Sequence, residues 1–336
     1  MNKKILAAAI SAAMISPATM AGVTVYGAAQ VEVTSVSLEG PTQKEIGQSG
    51  NPVFSGTEVA DNARGRVGVK ASEDLGNGLK GIAQFEFKAD TTDNTVKNSA
   101  SLTSRVSQVG ITGGFGTVVA GNLKSPYKYT GGVKYDPFVT TALEARRNGG
   151  MSGGKLGHNS FIDNLVAYAS PKGPITATFA YGPETGDGAW AADVKYRAGG
   201  VEAFVSAIDA GDRVDYSANK IGGSFKTGQH KISGQYETIS AGSGNDDATI
   251  LFLGYQMKMG KNTLVAQWAQ QTDKDGIANA ADSKSLAGDA NYLAVGAIHK
   301  FSKTTRIFGG FRSSTTDNDS GRNVYSVGLR KDFKSK

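Results

Sequence analysis

Three histidines, His158, His230 and His299, are the only imidazoles in the chain, and there is no cysteine. They lie on three separate segments, so a zinc site or a Ser-His-Asp triad would need the fold to converge them. No nucleophile elbow and no HExxH pattern accompanies them. The absence of cysteine removes thiolate nucleophiles, thiolate metal sites and disulfides. The acidic clusters Asn245-Asp246-Asp247 and Asp317-Asn318-Asp319 could meet a divalent cation, and Asp273-Lys-Asp275-Gly276 has the start of a calcium loop without its bidentate Glu. Solvated extracellular loop tips account for them better. No enzyme and no bound cofactor follows from these residues. What remains is charge in a pattern: Arg64, Arg66 and Lys70 share one face of an alternating segment whose other face is Val67, Val69 and Ala71. Arginines and lysines set in a row on a wall act on passing ions through their field.

Such a row needs strands to carry it. The chain supplies them from Val23 onward as short runs of alternating character. In 79–89, Leu79, Gly81, Ala83, Phe85 and Phe87 alternate with Lys80, Ile82, Gln84, Glu86 and Lys88, and the Asn77-Gly78 dipeptide before them is a strong hairpin signal. Comparable runs occupy 23–34, 64–72, 102–113, 117–123, 161–170, 175–182, 189–197, 201–208, 214–226, 231–240, 248–258, 263–271, 291–301, 305–313 and 323–333, about sixteen in all. Connectors alternate between tight turns, such as Gly114–Gly116 and Gly199-Gly200, and longer polar loops, such as 39–61 and 272–289. Short turns at one end and long loops at the other mark a transmembrane antiparallel up-and-down β-barrel. On that fold Arg64, Arg66 and Lys70 point into the lumen, because guanidinium groups facing lipid near the midplane cost about 2–4 kcal/mol each.

Composition agrees. Gly numbers 45, Pro 8, and 39% of residues are hydrophobic, which suits strands with one face in lipid and the other in water. The first 21 residues read as a secretory signal peptide, with Lys3-Lys4, an Ala-rich apolar run and Thr19-Met20-Ala21 at the cleavage point, leaving a barrel over 22–336. No run approaches the roughly 18 apolar residues of a membrane helix. The formal charge of +6 is scattered rather than gathered in runs, which does not call for nucleic acid.

One segment breaks the regularity: Lys124 to Asn159, too long for an ordinary connector. It carries Tyr127, Tyr129, Tyr135, Phe138 and the corner Asp136-Pro137 beside Lys134, Glu144, Arg146 and Arg147. The apolar residues can hold it in place.

The start Val23-Thr-Val-Tyr-Gly27, the string from Arg66 to Lys80 (RVGVKASEDLGNGLK), the string from Val109 to Gly121 (VGITGGFGTVVAG), the segment Asp163–Pro171 and the end Tyr325–Phe333 resemble the general-diffusion porins of Gram-negative outer membranes. The resemblance covers the mature chain. It implies sixteen strands, a homotrimer among lipid and lipopolysaccharide, and passive passage of ions and small hydrophilic solutes. It also implies that the third long loop, here 124–159, folds inward as a constriction, with Asp136 and Glu144 facing a basic wall to which Arg66 and Arg105 belong. Arg105 shares parity with Val109 and Ile111, so a lumenal place for it requires a bulge. Phe161 and Ile162 stand where such porins often carry arginine. The terminal aromatic read by the barrel-assembly machinery is Phe333, followed here by Lys334-Ser-Lys336. The sign of ion preference stays open, with Lys134, Arg146 and Arg147 against Asp136 and Glu144. A solute-specific channel, or a barrel enzyme or adhesin, are the alternatives.

Overall fold

The computed structural model describes residues 22–39, 55–92, 102–154, 156–158, 161–183, 188–242, 246–275, 277, 286, 288–317 and 321–335. The expected signal peptide 1–21 lies outside them, as do Asn245, Gly276, Asn318 and Asp319 of the acidic clusters and the loop's last residue, Asn159.

Alternation is converted into one closed sheet of antiparallel strands. They are β1 (Val23–Glu39), β2 (Gly56–Ala60), β3 (Arg66–Gly76), β4 (Leu79–Ala89), β5 (Leu102–Gly113), β6 (Gly116–Lys124), β7 (Phe161–Ala169), β8 (Ile175–Gly182) and β9 (Ala189–Ala198). After these come β10 (Val201–Asp209), β11 (Tyr216–Thr227), β12 (His230–Ala241), β13 (Ala248–Met259), β14 (Asn262–Thr272), β15 (Ala290–Lys300), β16 (Thr305–Thr316) and β17 (Gly321–Lys334). From β3 onward each strand pairs with its successor, and β1 pairs with β17 from Tyr26↔Lys334 to Glu39↔Gly321, which closes the barrel. β2 and β3 pair in series along β1, Val36↔Gly56 through Glu32↔Ala60 and then Ala28↔Arg66 through Val23↔Ala71. They are one wall strand broken at 61–65, so seventeen segments make sixteen staves.

The break corrects the sequence reading in two places. Leu38, Glu39 and Gly56–Ala60, expected in a polar loop, are strand, because β1 runs five residues further than its alternation shows and draws β2 onto it. Arg64, expected within a strand, lies in the break. There the Asp61 carboxylate accepts from the backbone N–H groups of Ala63, Gly65 and Thr91, and Asn62 and Ala63 take positive φ values of 48° and 57°.

The two faces separate as the parity rule requires. Val31 and Val33 on β1, Ile232 and Tyr236 on β12, and Leu251 and Leu253 on β13 are exposed outward. Their neighbours Gln30, Glu32, Gln235, Glu237, Ile250 and Phe252 are buried inward. The hairpin between β3 and β4 turns on Asn77 and Gly78, with φ of 51° and 77°, the conformation for which Asn-Gly is suited. Among the described residues no helix is long and apolar enough to span a membrane.

Candidate functional site

The loop after β6 begins with a single helical turn, Pro126–Tyr129, capped by Ser125, whose Oγ accepts from Tyr127 N at 3.1 Å. From there it runs past the inward faces of successive staves. Thr130 Oγ1 accepts from Lys195 Nζ of β9 (3.1 Å), and Tyr135 Oη donates to Glu202 of β10 (2.8 Å). Gly132 N and Tyr127 Oη donate to Gln235 and Glu237 of β12 (2.7 and 2.6 Å). Further along, Asp136 accepts from Gln267 of β14 (3.0 Å), Leu143 O from Tyr292 Oη of β15 (2.7 Å) and Asn148 O from Ser314 Oγ of β16 (3.1 Å). At its far reach Thr140 O accepts from Gln30 of β1 (2.6 Å), and Ala142 N donates to Glu32 (3.0 Å). Apolar side chains fill the space between. Tyr135, Phe138, Leu143, Ala145 and Met151 of the loop pack with Phe204, Phe252, Ala269, Tyr292 and Phe308 of the wall, while Tyr127 and Leu156 join Ile208, Tyr216, Ile239 and Ile250. Fully burying a side chain of this size contributes about 1.5–3 kcal/mol.

The loop's acids are turned to its own backbone. Asp136 is 3% exposed and accepts from Phe138 N and Ala145 N, each at 2.8 Å. The first is the Asx turn that an Asp-Pro corner favours. Burial pushes the Asp136 carboxyl up to about 6. Glu144 is fully buried, accepting from Thr140 N (2.7 Å) and Arg146 Nε (2.8 Å). Arg146 is thereby spent on Glu144 and on the His158 carbonyl (3.4 Å). Arg147, half-buried, holds a positive φ of 65°. Lys134 lies in the first half of the loop with its side chain exposed, and partial desolvation together with the nearby cations Lys195 and Arg197 lowers its ammonium. The expectation that Asp136 and Glu144 present free carboxylates to water is therefore corrected: both are sealed by N–H donors, the cheapest way to fold a loop with few regular hydrogen bonds.

The wall gives a different picture around β3 to β6 and where β16 meets β17. The β4–β5 ladder passes from Glu86↔Val106 to Phe87↔Ser104, leaving Arg105 as a bulge. Its guanidinium reaches Glu86 at 3.0 Å, and Arg66 reaches the same carboxylate at 3.6 Å. Next to them Asp332 of β17 receives Arg64 (3.3 Å), Arg330 (2.6 Å) and Arg306 (3.8 Å). Register places these two clusters at one level, since Ala28 faces both Asp332 and Arg66. Lys124 and Lys128 extend the belt, both stacked on Tyr129 (5.3 and 5.6 Å). Phe161 takes Arg105 and Lys128 over its ring at 4.5 and 4.0 Å. Lys70 stands nearer the short-turn end, over Tyr26 at 5.0 Å.

Sequence reasoning missed Glu86, Asp332, Arg306, Arg330 and Lys128. Glu86 had a signal: it is the one acid on the polar face of its strand. The Asp332 group had none in local pattern, because Arg64 and Asp332 are 268 residues apart. Of the histidines, His230 bonds Tyr255 Oη and His299 bonds Asn262 Oδ1, each at 2.7 Å, and His158 is buried in the loop. Among the described residues no group of three or more His, Asp or Glu could hold a metal ion.

Phe333 is paired with Gly27 and 45% exposed on the outer face. The ladder continues past it: Lys334 pairs with Tyr26, and Ser335 N donates to Val25 O at 2.8 Å.

Comparison with known proteins returns one family, described as Gram-negative porin, matched over residues 6–319. The major outer membrane protein P.IB of Neisseria gonorrhoeae is 37% identical over 131 residues, 39% of this chain and 34% of that protein. The chain thus aligns with about a third of the length of such Neisseria relatives. Outer membrane porin protein 32 of Delftia acidovorans is 25% identical across 98% of this chain and 95% of its own. Among solved structures, an anion-selective porin from Comamonas acidovorans superposes with a TM-score of 0.70 at 21% identity, covering 93% of this chain and 99% of that one.

Proposed function

As this chain belongs to the Gram-negative porin family, we propose that it forms a water-filled outer-membrane channel through which ions and small hydrophilic solutes diffuse passively, with preference for anions. The loop 124–159 is its constriction. The observation that carries the sign is a belt of cations around two carboxylates: Arg64, Arg306 and Arg330 around Asp332, and Arg66 and Arg105 around Glu86, with Lys124 alongside. Because Asp136 and Glu144 are sealed inside the loop, they do not offset this surplus. The mechanism is a sieve with a positive wall: an anion is drawn to guanidinium and ammonium groups, and no covalent step or cofactor is involved.

Assembly as a homotrimer fits the outer surface. Outward Tyr and Trp occur on β7 to β14 as Tyr168, Tyr181, Trp190, Tyr196, Tyr236, Tyr255 and Trp268. Among the described residues, β1 to β6, β15 and β16 carry none, and β17 carries Tyr325 alone. Aromatic belts belong where protein meets the lipid headgroups, so the bare sector suits contact with sister barrels, and the aromatic sector suits lipid and lipopolysaccharide. The outward Phe333 ring is the feature the barrel-assembly machinery would read.

The test is the reversal potential in a planar bilayer under a KCl gradient. Anion preference is expected, and Arg66→Gln with Arg105→Gln should move it toward cations. At about 10 Å and an effective dielectric of 20, each charge is worth roughly 1–2 kcal/mol before salt screening. At about 0.1 M salt, where the Debye length is about 10 Å, screening leaves roughly a third of the pair's energy, so the double change should alter the permeability ratio about tenfold. A cation-selective wild type, or an unmoved potential in the double variant, would overturn the reading.

A further inference from the structure

Between the start of the loop and the staves beside it lies a cavity of about 280 Å³ whose wall includes Lys124, Tyr129, Thr130, Lys195, Val119 and Leu123. The size is at the small end of the range for ligand pockets. Its chemistry is two-sided. Lys124 comes from the end of β6 and Lys195 from β9, so two ammonium groups on different staves border one space. The acid on that wall, Asp193, is 4% exposed and already paired with Lys195 at 3.3 Å. Thr130 and Tyr129 bring hydroxyl groups, while Val119 and Leu123 give an apolar side that a fully hydrated inorganic ion has no use for.

We propose that this chamber is a retention site for small organic anions: a carboxylate held between Lys124 and Lys195, with a short apolar or aromatic body against Val119, Leu123 and the Tyr129 ring. This rests on the reading of the lumen as an anion-preferring passage, to which it adds a solute class. The cation-bearing belt delivers an anion to Lys124, which stacks on Tyr129 at 5.3 Å and so stands at the junction of belt and chamber. Chloride passes without engaging the apolar side; a carboxylate with a hydrocarbon body dwells there.

The experiment uses the purified full-length channel in a planar bilayer with KCl carrying the current. Benzoate in millimolar amounts should lower the single-channel current or add brief closures. Acetate, lacking the apolar body, and benzylammonium, carrying the wrong charge, should not do so at the same concentration. Lys195→Gln, which keeps a donor for Thr130, and Val119→Thr, which keeps the volume, should each weaken the benzoate effect at least fivefold. Equal effects of acetate and benzoate, or a benzoate effect unchanged in both variants, would overturn the proposal. The reversal potential in KCl, read from the same membranes, reports on anion preference separately. Loss of that preference with a benzoate effect intact would remove the underlying reading and leave the chamber. Preserved preference with no benzoate effect would do the reverse.

Discussion

Acidification should release the returning limb of the 124–159 loop, and His158 is the reason. Its Nε2 lies 2.9 Å from Lys220 Nζ on β11. An ammonium has only donors, so Nε2 must be the bare nitrogen and Nδ1 the one that carries hydrogen, donated to Ser152 O at 3.0 Å. The groups around the ring leave no place for a second proton. Lys220 also donates to Tyr127 O; Arg146 donates to the His158 carbonyl; and Lys128 adds a further cation. Glu237 of β12 is 3.8 Å from Nδ1 but already receives Tyr127 Oη and Ser152 Oγ. Burial first, and Lys220 second, hold His158 well below its ordinary 6.5. A lowered imidazole contributes stability that is complete above the unfolded value and is lost as pH falls through the window beneath it. The slope is about 1.4 kcal/mol per pH unit for one proton. From pH 6.5 to 5 that is roughly 2 kcal/mol, a factor of about thirty in local opening. The amide of His158, which donates to Ser152 O at 3.1 Å, is the place to read it. Hydrogen exchange corrected for intrinsic rate should show 152–158 loosening on going from pH 7.5 to 5, with noisier single-channel current over the same range. Lys220→Gln retains donors for Nε2 and Tyr127 O without the charge, and should flatten the profile. Equal protection of these amides at both pH values in the wild type, or the same profile in the variant, would refute the reasoning.

Three further outcomes follow from the loop's packing. Asp136 has the opposite pH sign: a carboxyl raised from 3.8 to about 6 contributes stability that is complete below 3.8 and lost as pH rises through 6, about 3 kcal/mol. In a His158→Gln background, urea unfolding should therefore show stability increasing from pH 7 to 4. Phe138→Ala leaves a cavity against Phe204, Phe252 and Phe308 and should cost about 3–5 kcal/mol, read as a lowered Cm and a loop more open to protease. Gly132→Ala should disturb the loop at smaller volume cost, because φ is +51° and the new methyl would run into the His158 ring; greater exchange of the His158 amide than in the wild type at pH 7.5 would be its signature.

Much of the barrel was legible because a stave states itself locally. Lys80 to Lys88 shows its two faces in nine residues, and Asn77-Gly78 announces the turn before it. β2 was not legible, since Gly56–Ala60 is strand only through pairing with the extension of β1. The basic positions on β3 could be read by parity, and the bulge at Arg105 could be inferred from the conflict between its charge and its face. The fate of Asp136 had a local signal that charge counting obscured: an aspartate before proline serves the backbone two residues on.

The larger signal lay in strands apolar on both faces. In β13, Ile250 and Phe252 point inward while Leu251 and Leu253 point outward, and a lumen full of water gives Phe252 no reason to exist. Its partner is the loop, through the cluster that holds Phe138 and Leu143. On β3 and β4 the inward positions include Arg66, Lys70, Lys80, Gln84, Glu86 and Lys88, with Ile82 the one large apolar residue among them. The inward residues therefore divide the circumference into a sector where the loop is fastened and a sector rich in charge, the proposed path for solutes. The same division explains the charge: buried against the fastening sector, the loop's carboxylates must be satisfied by N–H groups, since an unpaired buried charge costs several kcal/mol. Fastening the loop pairs its acids with N–H donors, and on the proposed function it is the wet wall that would set the sign.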